Sequence, residues 1–286
     1  MRTSKDFHSP LAFTTLACPD WSWEQAVQRA IEYGYQGLEL RGVEGEMDLT
    51  KATPFTASRL PATKRELAER GLAIPCLDTS CRFDQASELD NNIDEGKRHI
   101  DLAGELESPS IRVFGDRIPD SQSREEIIEQ VVQGLLALAK HAEGTGVQVL
   151  LESHSDFARV QNLLDVMRAV HHPQVGVLWD VHHPYRFFSE PLADTYEKLK
   201  GRIGHVHLKD SVSVHGGVRY CLLGRGIVPG SRVLQLLASG GYDGWIAFEW
   251  EKRWHPEIEE PEVALPDFIR VVLAAEAEQA HRQERI

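Results

Sequence analysis

Four short apolar runs in the second half of the chain end on groups able to hold a cation or move a proton: LLESH (150–154), LWDVHH (178–183), HVHLKD (205–210) and AFEWE (247–251). They deliver Glu152, Asp180, His207 and Glu249 at their exits. One acid after an apolar run means little, because loops commonly begin with Asp or Glu. Four in successive runs form a pattern. Three carboxylates and one imidazole make a hard, mixed oxygen and nitrogen set that suits Mn²⁺, expected first here, or Mg²⁺, Co²⁺ or Zn²⁺. The competing reading is loop-start polarity with internal ion pairs. A cation chelating a carbonyl and its neighbouring hydroxyl stabilises an enediolate and acidifies the adjacent C–H. Glu152 and Glu249, from nonadjacent runs, are the candidate catalytic proton carriers.

Other polar residues have two readings each. Lys209 shares a strand face with His207 and either touches substrate or pairs with a ligand carboxylate. His154 follows Glu152 by the same two-residue step and is a substrate contact or a loop histidine. Glu39 and Arg41 pair with each other or bind substrate, with pairing the first reading. His205 is expected behind His207 as a supporting or packed histidine. His182 is expected to be solvent-facing or structural. Trp179, Trp245 and Trp250 read as core or wall, whereas Trp254 lies where it can cover a site. Arg225 reads as a loop arginine before an anion grip, and Asp78, Ser80 and Arg82 have no assigned role.

These residues need a scaffold that aims strand ends at one point. Eight apolar, often β-branched runs read as buried parallel strands: 11–15, 37–42, 73–80, 110–115, 147–154, 175–183, 203–210 and 244–251. Amphipathic helical segments alternate with them at about 22–34, 57–70, 85–107, 123–143, 159–171, 191–200, 230–239 and 261–282. Asp20 or Ser22 can cap the first helix and Ser121 or Ser123 the fourth, while glycines at 34, 71 and 144 stand where helices should stop. Eight strand–helix repeats predict an α/β fold, a (β/α)₈ TIM barrel forming one domain over 1–286, with 1–10 as a tail and a C-terminal helix from about 261. Functional side chains then project from the C-terminal ends of the strands. The loops 43–56, 211–229 and 252–260 read as lids over that mouth.

Composition narrows the function. The 286 residues carry a net charge of −13, which opposes nucleic-acid binding. No apolar run reaches membrane-spanning length, and no signal-peptide pattern opens the chain. Four scattered cysteines without a C-x-x-C pair fit a reducing, cytoplasmic setting. No glycine-rich nucleotide motif is present.

With these motifs in view, the sequence resembles the xylose isomerase-like barrel superfamily, in its sugar phosphate isomerase/epimerase branch. The resemblance runs from LAFTT to GYDGWIAFEWE and rests on Glu152, the Asp180-x-x-His183 pair, His207 and Glu249. It implies that Glu152, Asp180, His207 and Glu249 bind one divalent metal ion and that His183 contacts substrate. A small sugar or polyol-derived molecule is the implied partner, and assembly into a homo-oligomer through the outer helices is compatible with it. The implied activity is isomerisation or epimerisation of a sugar or sugar-derived keto compound through an enediolate. The alternative is a dehydratase, using the same intermediate on an inosose- or dehydroshikimate-like substrate. The second glutamate that ketose epimerases carry shortly after the strand-5 acid is absent from SHSDFAR (153–159). An abasic-site endonuclease would need histidines from strands 3 and 4, yet His99 is the only histidine between residues 55 and 140. A sugar-binding accessory subunit that keeps the metal without turnover is the non-enzymatic alternative.

Overall fold

The computed structural model describes residues 9–283. Eight strands build the barrel: β1 (Leu11–Thr14), β2 (Gly37–Glu39), β3 (Leu77–Arg82), β4 (Ser110–Phe114), β5 (Gln148–Glu152), β6 (Val175–Asp180), β7 (Ile203–Leu208) and, after a two-strand insertion, β10 (Trp245–Phe248). Their order is β2-β1-β10-β7-β6-β5-β4-β3, with every pairing parallel. Parallel bridges Gly37–Ala73 and Leu40–Leu77 join the two end strands and close the sheet on itself. The expected TIM barrel is therefore present, although residues 1–8 of the expected tail lie outside the described part.

The helices follow their strands: α1 (Trp23–Tyr33), α2 (Leu60–Arg70), α3 (Leu89–Glu105), α4 (Arg124–His141), α5 (Val160–Val170), α6 (His182–Phe188), α7 (Leu192–Leu199), α8 (Gly230–Ser239) and α9 (Pro261–Gln283). Local chemistry sets their ends. Ser22 and Ser123, rather than Asp20 and Ser121, cap α1 and α4, each in a reciprocal capping box with Gln25 or Glu126. Gly34 ends α1 at φ 89°, a left-handed conformation that a residue with a Cβ resists. α6 was not expected: it begins directly after Asp180, where the sequence reads as a strand exit.

The loop after β7 is a correction. Residues 211–229 were expected to form a lid without regular structure, but β8 (Asp210–Val214) and β9 (Gly217–Cys221) pair there as an antiparallel hairpin. Asp210 anchors its base, accepting hydrogen bonds from the backbone N–H groups of Gly224, Gly226 and Val228 at 2.8–3.0 Å. Val212 and Val214 alternate with serines, and Val218 and Tyr220 flank Arg219, on either side of Gly216-Gly217, so the hairpin signal was present in the segment read only as a lid.

The strands separate two cores by their two-residue period. Outward residues such as Val149, Leu151, Val177 and Trp179 join the main core beneath the helices. Inward residues Cys76, Leu150 and Leu178 form a separate apolar plug inside the barrel. Leu150 fits because Gly176 and Gly204 stand on the next two strands, β6 and β7: a Cβ at either would come within 2.9 or 2.8 Å of it. Two residues further along each strand, the inward positions become Asp78, Glu152 and Asp180, all buried. The floor is thus apolar and the layer above it ionic. On the outside, Phe268 of α9 stacks on Phe248 at 4.5 Å, and the Tyr35 hydroxyl donates to the Leu265 carbonyl at 2.8 Å.

Candidate metal centre and active site

Glu152 ends β5, Asp180 ends β6, His207 lies near the end of β7 and Glu249 follows β10. One donor atom from each lies within 4.8 Å of all the others, and all four residues are buried. His207 is fixed from behind: its Nε2 lies 2.5 Å from Glu39 Oε1, and the other Glu39 oxygen meets His205 Nε2 at 2.8 Å. Its Nδ1 faces Glu249 Oε2 at 3.3 Å and Glu152 Oε1 at 3.7 Å, and makes no hydrogen bond although buried. Against its burial, the charges of Glu39 and Glu249 hold the His207 imidazole well above its ordinary value, so a cation would replace the Nδ1 proton while Nε2–H donates to Glu39.

Charge balance points the same way. Five carboxylates (Glu39, Asp78, Glu152, Asp180 and Glu249) are buried together with only two fixed cations, Arg112 and Lys209. Arg112 meets Glu152 Oε2 at 3.1 Å and Asp78 Oδ2 at 3.4 Å. Lys209 Nζ lies 2.8 Å from Asp180 Oδ2, 2.5 Å from Glu249 Oε2 and 2.7 Å from Glu251 Oε1. Burial alone favours neutral carboxyls, and it pushes Asp78 up to about 8 and Asp180 up to about 7 against the pull of Arg112 and Lys209. For Glu249 the charges of Lys209 and His207 outweigh burial and hold it well below the usual carboxylate range. Glu152 is likewise held low by Arg112 against its burial. A divalent cation among these oxygens would compensate the surplus negative charge, so the donors present fit such an ion.

The rim carries histidines. The rings of His154 and His183 are 4.5 Å apart, and His183 Nε2 lies 3.5 Å from Asp180 Oδ2. Burial, then the nearby charge of Lys209, holds His183 well below its ordinary value and therefore neutral. His154 is raised instead, because the Asp116 carboxylate 3.8 Å away and the charge of Glu152 outweigh its burial. Beside them opens a cavity of about 580 Å³ whose walls include Arg41, Ser80, Arg82, Phe114, Asp116 and His154.

Several expectations change. Glu39 and Arg41 form no ion pair: Glu39 is fully buried against the two histidines, while Arg41 Nη2 donates to Ser80 Oγ at 3.0 Å. They end the same strand at a two-residue step, but Arg41 reaches the mouth and Glu39 stays below it. His182 is buried and bonded to Ser211 Oγ of the hairpin at 2.7 Å, so the solvent-facing reading is excluded. Lys209 pairs with carboxylates. Trp179 and Trp250 are core, and Trp254 is half exposed. Arg225 is an exposed loop arginine whose nearest acid is Asp267, at 4.0 Å. Arg112 and Glu251 were missed. A guanidinium inside the apolar run SIRVFG was the available signal for the first, and the second closes the strand-8 segment itself.

Comparison with known proteins bears on the family and the fold. The family model for the xylose isomerase-like TIM barrel matches residues 27–271. The chain belongs to that family. It is 30% identical over 142 residues to an inosose dehydratase of Yersinia enterocolitica serotype O:8 / biotype 1B, covering 43% of this chain and 48% of that one. The match therefore spans about half the length of that relative. It is 24% identical over 217 residues to a 2-oxo-tetronate isomerase of Pectobacterium atrosepticum, covering 69% and 79%. Among solved structures, the IOLI protein with a binding zinc atom shares the fold at a TM-score of 0.78 and 16% identity, over 94% and 99% of the two chains. Within the family, relatives of this chain include both a dehydratase and an isomerase of small sugar-like molecules.

Proposed function

We propose that this chain is a divalent-metal-dependent isomerase or epimerase of a sugar or sugar-derived keto compound, working through an enediolate. The observation that carries the reading is the convergence of Glu152, Asp180, His207 and Glu249, with the buried Nδ1 of His207 left for a cation. An ion held by these four residues supplies Lewis acidity, polarising a carbonyl and acidifying the neighbouring C–H. The zinc in the structural neighbour and the hard donor set support a divalent ion as a class. Manganese in particular has no support beyond the oxygen-rich donors.

The chain's own residues then divide the work. Glu152 and Glu249 come from β5 and the end of β10, with β6 and β7 between them in the sheet, so they reach a substrate carbon from different sides. Both are held ionised by Arg112 and by Lys209 with His207, as proton acceptors must be. In this reading, neutral His183 and the rim residue His154 bond substrate hydroxyls. Glu39 does not meet substrate in this reading; it orients His207 and fixes its tautomer.

Lys209 favours a second reading. An ammonium among the ligand carboxylates can hand its proton to a departing β-hydroxyl, which leaves as water and makes the enzyme a dehydratase. Zinc- or magnesium-loaded protein incubated in D₂O with 2-oxo-tetronate and with inosose tests both. Deuterium at the exchanged carbon without mass loss supports isomerisation or epimerisation. Loss of one water supports the dehydratase. No exchange and no dehydration with either substrate would leave a binding subunit as the reading.

A further inference from the structure

Arg41 and Arg253 are two guanidinium groups at the mouth that form no ion pair among the described residues. Arg41 follows β2 and Arg253 follows β10, the two strands flanking β1. Both backbones are pinned to the segment after β1: Arg41 N–H donates to Thr15 Oγ1 at 2.8 Å and Arg253 N–H to the Leu16 carbonyl at 3.0 Å. The two side chains line one cleft with Thr15, Gly42 and Glu44, and the Glu44 carboxylate is engaged by the Trp23 N–H at 3.0 Å. Each keeps a buried N–H without an acceptor, Nη1 of Arg41 and Nε of Arg253. Among the described residues no carboxylate lies within 4.0 Å of either. Their neighbours differ: Arg112 has Glu152 and Asp78 at 3.1 and 3.4 Å, and Arg82 has Asp116 and Asp84 at 3.9 and 4.0 Å.

A buried charged donor without a partner is costly, and two of one sign facing one cleft are costlier still. Burial, reinforced by the charges of Arg112 and Arg253, pulls Arg41 down to about 10. The charges of Asp78 and Glu95 offset this only in part, and neither acid forms an ion pair with Arg41: Asp78 meets Arg112 at 3.4 Å and Glu95 Oε1 accepts from the Ser80 N–H at 2.8 Å. Arg41 also lines the larger cavity that reaches His154, whose ring packs on His183 beside the candidate metal ligand Asp180. A single molecule in that cavity would meet His154 on one side, next to His183 and Asp180, and Arg41 on another, with Glu88, Glu95 and Asp116 also in the wall.

We propose that Arg41 and Arg253 form an anion subsite, so that the substrate carries a carboxylate or phosphate group away from the carbon that reacts at the metal centre. The link to substrate rests on the proposed metal-dependent function. The choice it makes is for an acid or phosphate ester over a neutral cyclitol. Guanidinium forks match either anion with two parallel hydrogen bonds.

The test is calorimetric titration of chelator-treated protein, so that the metal cannot capture the anion. Wild type, Arg41→Met, Arg41→Lys and Arg253→Met are titrated with D-erythronate, erythritol and inorganic phosphate. Wild type is expected to bind one anion at least about ten-fold more tightly than erythritol, and both methionine variants to lose that preference. Arg41→Lys should restore part of it. Erythronate ahead of phosphate assigns a carboxylate, and the reverse order assigns a phosphate ester. Zinc titration and circular dichroism of each variant separate a local loss from misfolding. Equal binding of acid and polyol, no binding of either anion, or an anion preference retained in folded methionine variants would overturn the subsite. Failure of wild type to bind zinc would instead sink the metal-dependent reading and leave this result standing.

Discussion

His207 Nε2 and Glu39 Oε1 stand 2.5 Å apart across the barrel interior, joining β7 to β2 with two strands between them in the sheet. Both residues are fully buried, and the same carboxylate holds His205. Glu39 is held below the usual carboxylate range because the charges of His207 and His205 outweigh its burial. Removing that charge while keeping the shape frees the imidazole to rotate and weakens its donor atom. Glu39→Gln is expected to lower divalent-metal affinity by about 10- to 100-fold, read by competition with a chromophoric chelator. An unchanged affinity would mean that His207 is not a ligand or needs no support.

The apolar floor makes a stability prediction independent of function. A Cβ on Gly176 would come within 2.9 Å of Leu150 Cδ2 and 3.0 Å of the Arg202 carbonyl. Overpacking at such a site costs about 1–3 kcal/mol. Gly176→Ala should therefore shift the urea midpoint down with the slope unchanged. A midpoint equal to wild type would show that the floor is looser than this packing implies.

Much of this was legible from period-two patterning. Leu150 to Glu152 and Leu178 to Asp180 each place an apolar residue and an acid on one strand face, and a closed parallel barrel turns those faces inward onto one point. Glu39 was found as a polar residue at a strand end but given the wrong neighbour. A strand end fixes which face a side chain occupies, not its depth, and Glu39 and Arg41 differ only in depth. Arg112 went unread because a buried guanidinium needs carboxylates from two other strands, a relation between Asp78, Arg112 and Glu152 that no local spacing encodes. The hairpin β8–β9 was missed although Val212, Val214, Val218 and Tyr220 alternate around a Gly-Gly turn, because only its base is buried and the segment was read as a loop between barrel elements.

His99 gives the pH prediction. It is fully buried in α3, with Nδ1 bonded to the Glu95 carbonyl at 2.9 Å, and burial lowers its pKa. A depressed folded-state pKa means that the unfolded chain binds the proton first. The stability it contributes is present above its unfolded value of about 6.5 and is lost as pH falls through the lower folded value. Urea midpoints should drop between pH 7.5 and pH 5 in wild type, and drop less in His99→Gln. Equal drops in the two proteins would assign the acid sensitivity elsewhere.

The central claim is that Glu152, Asp180, His207 and Glu249 hold one divalent ion. Its most direct test is metal content by plasma mass spectrometry, on protein purified without added chelator or metal, beside His207→Ala. About one divalent ion per chain in wild type, lost in a folded His207→Ala, is the expected result. Little metal in either protein, even after reconstitution with Mn²⁺, Co²⁺, Mg²⁺ and Zn²⁺, would contradict it.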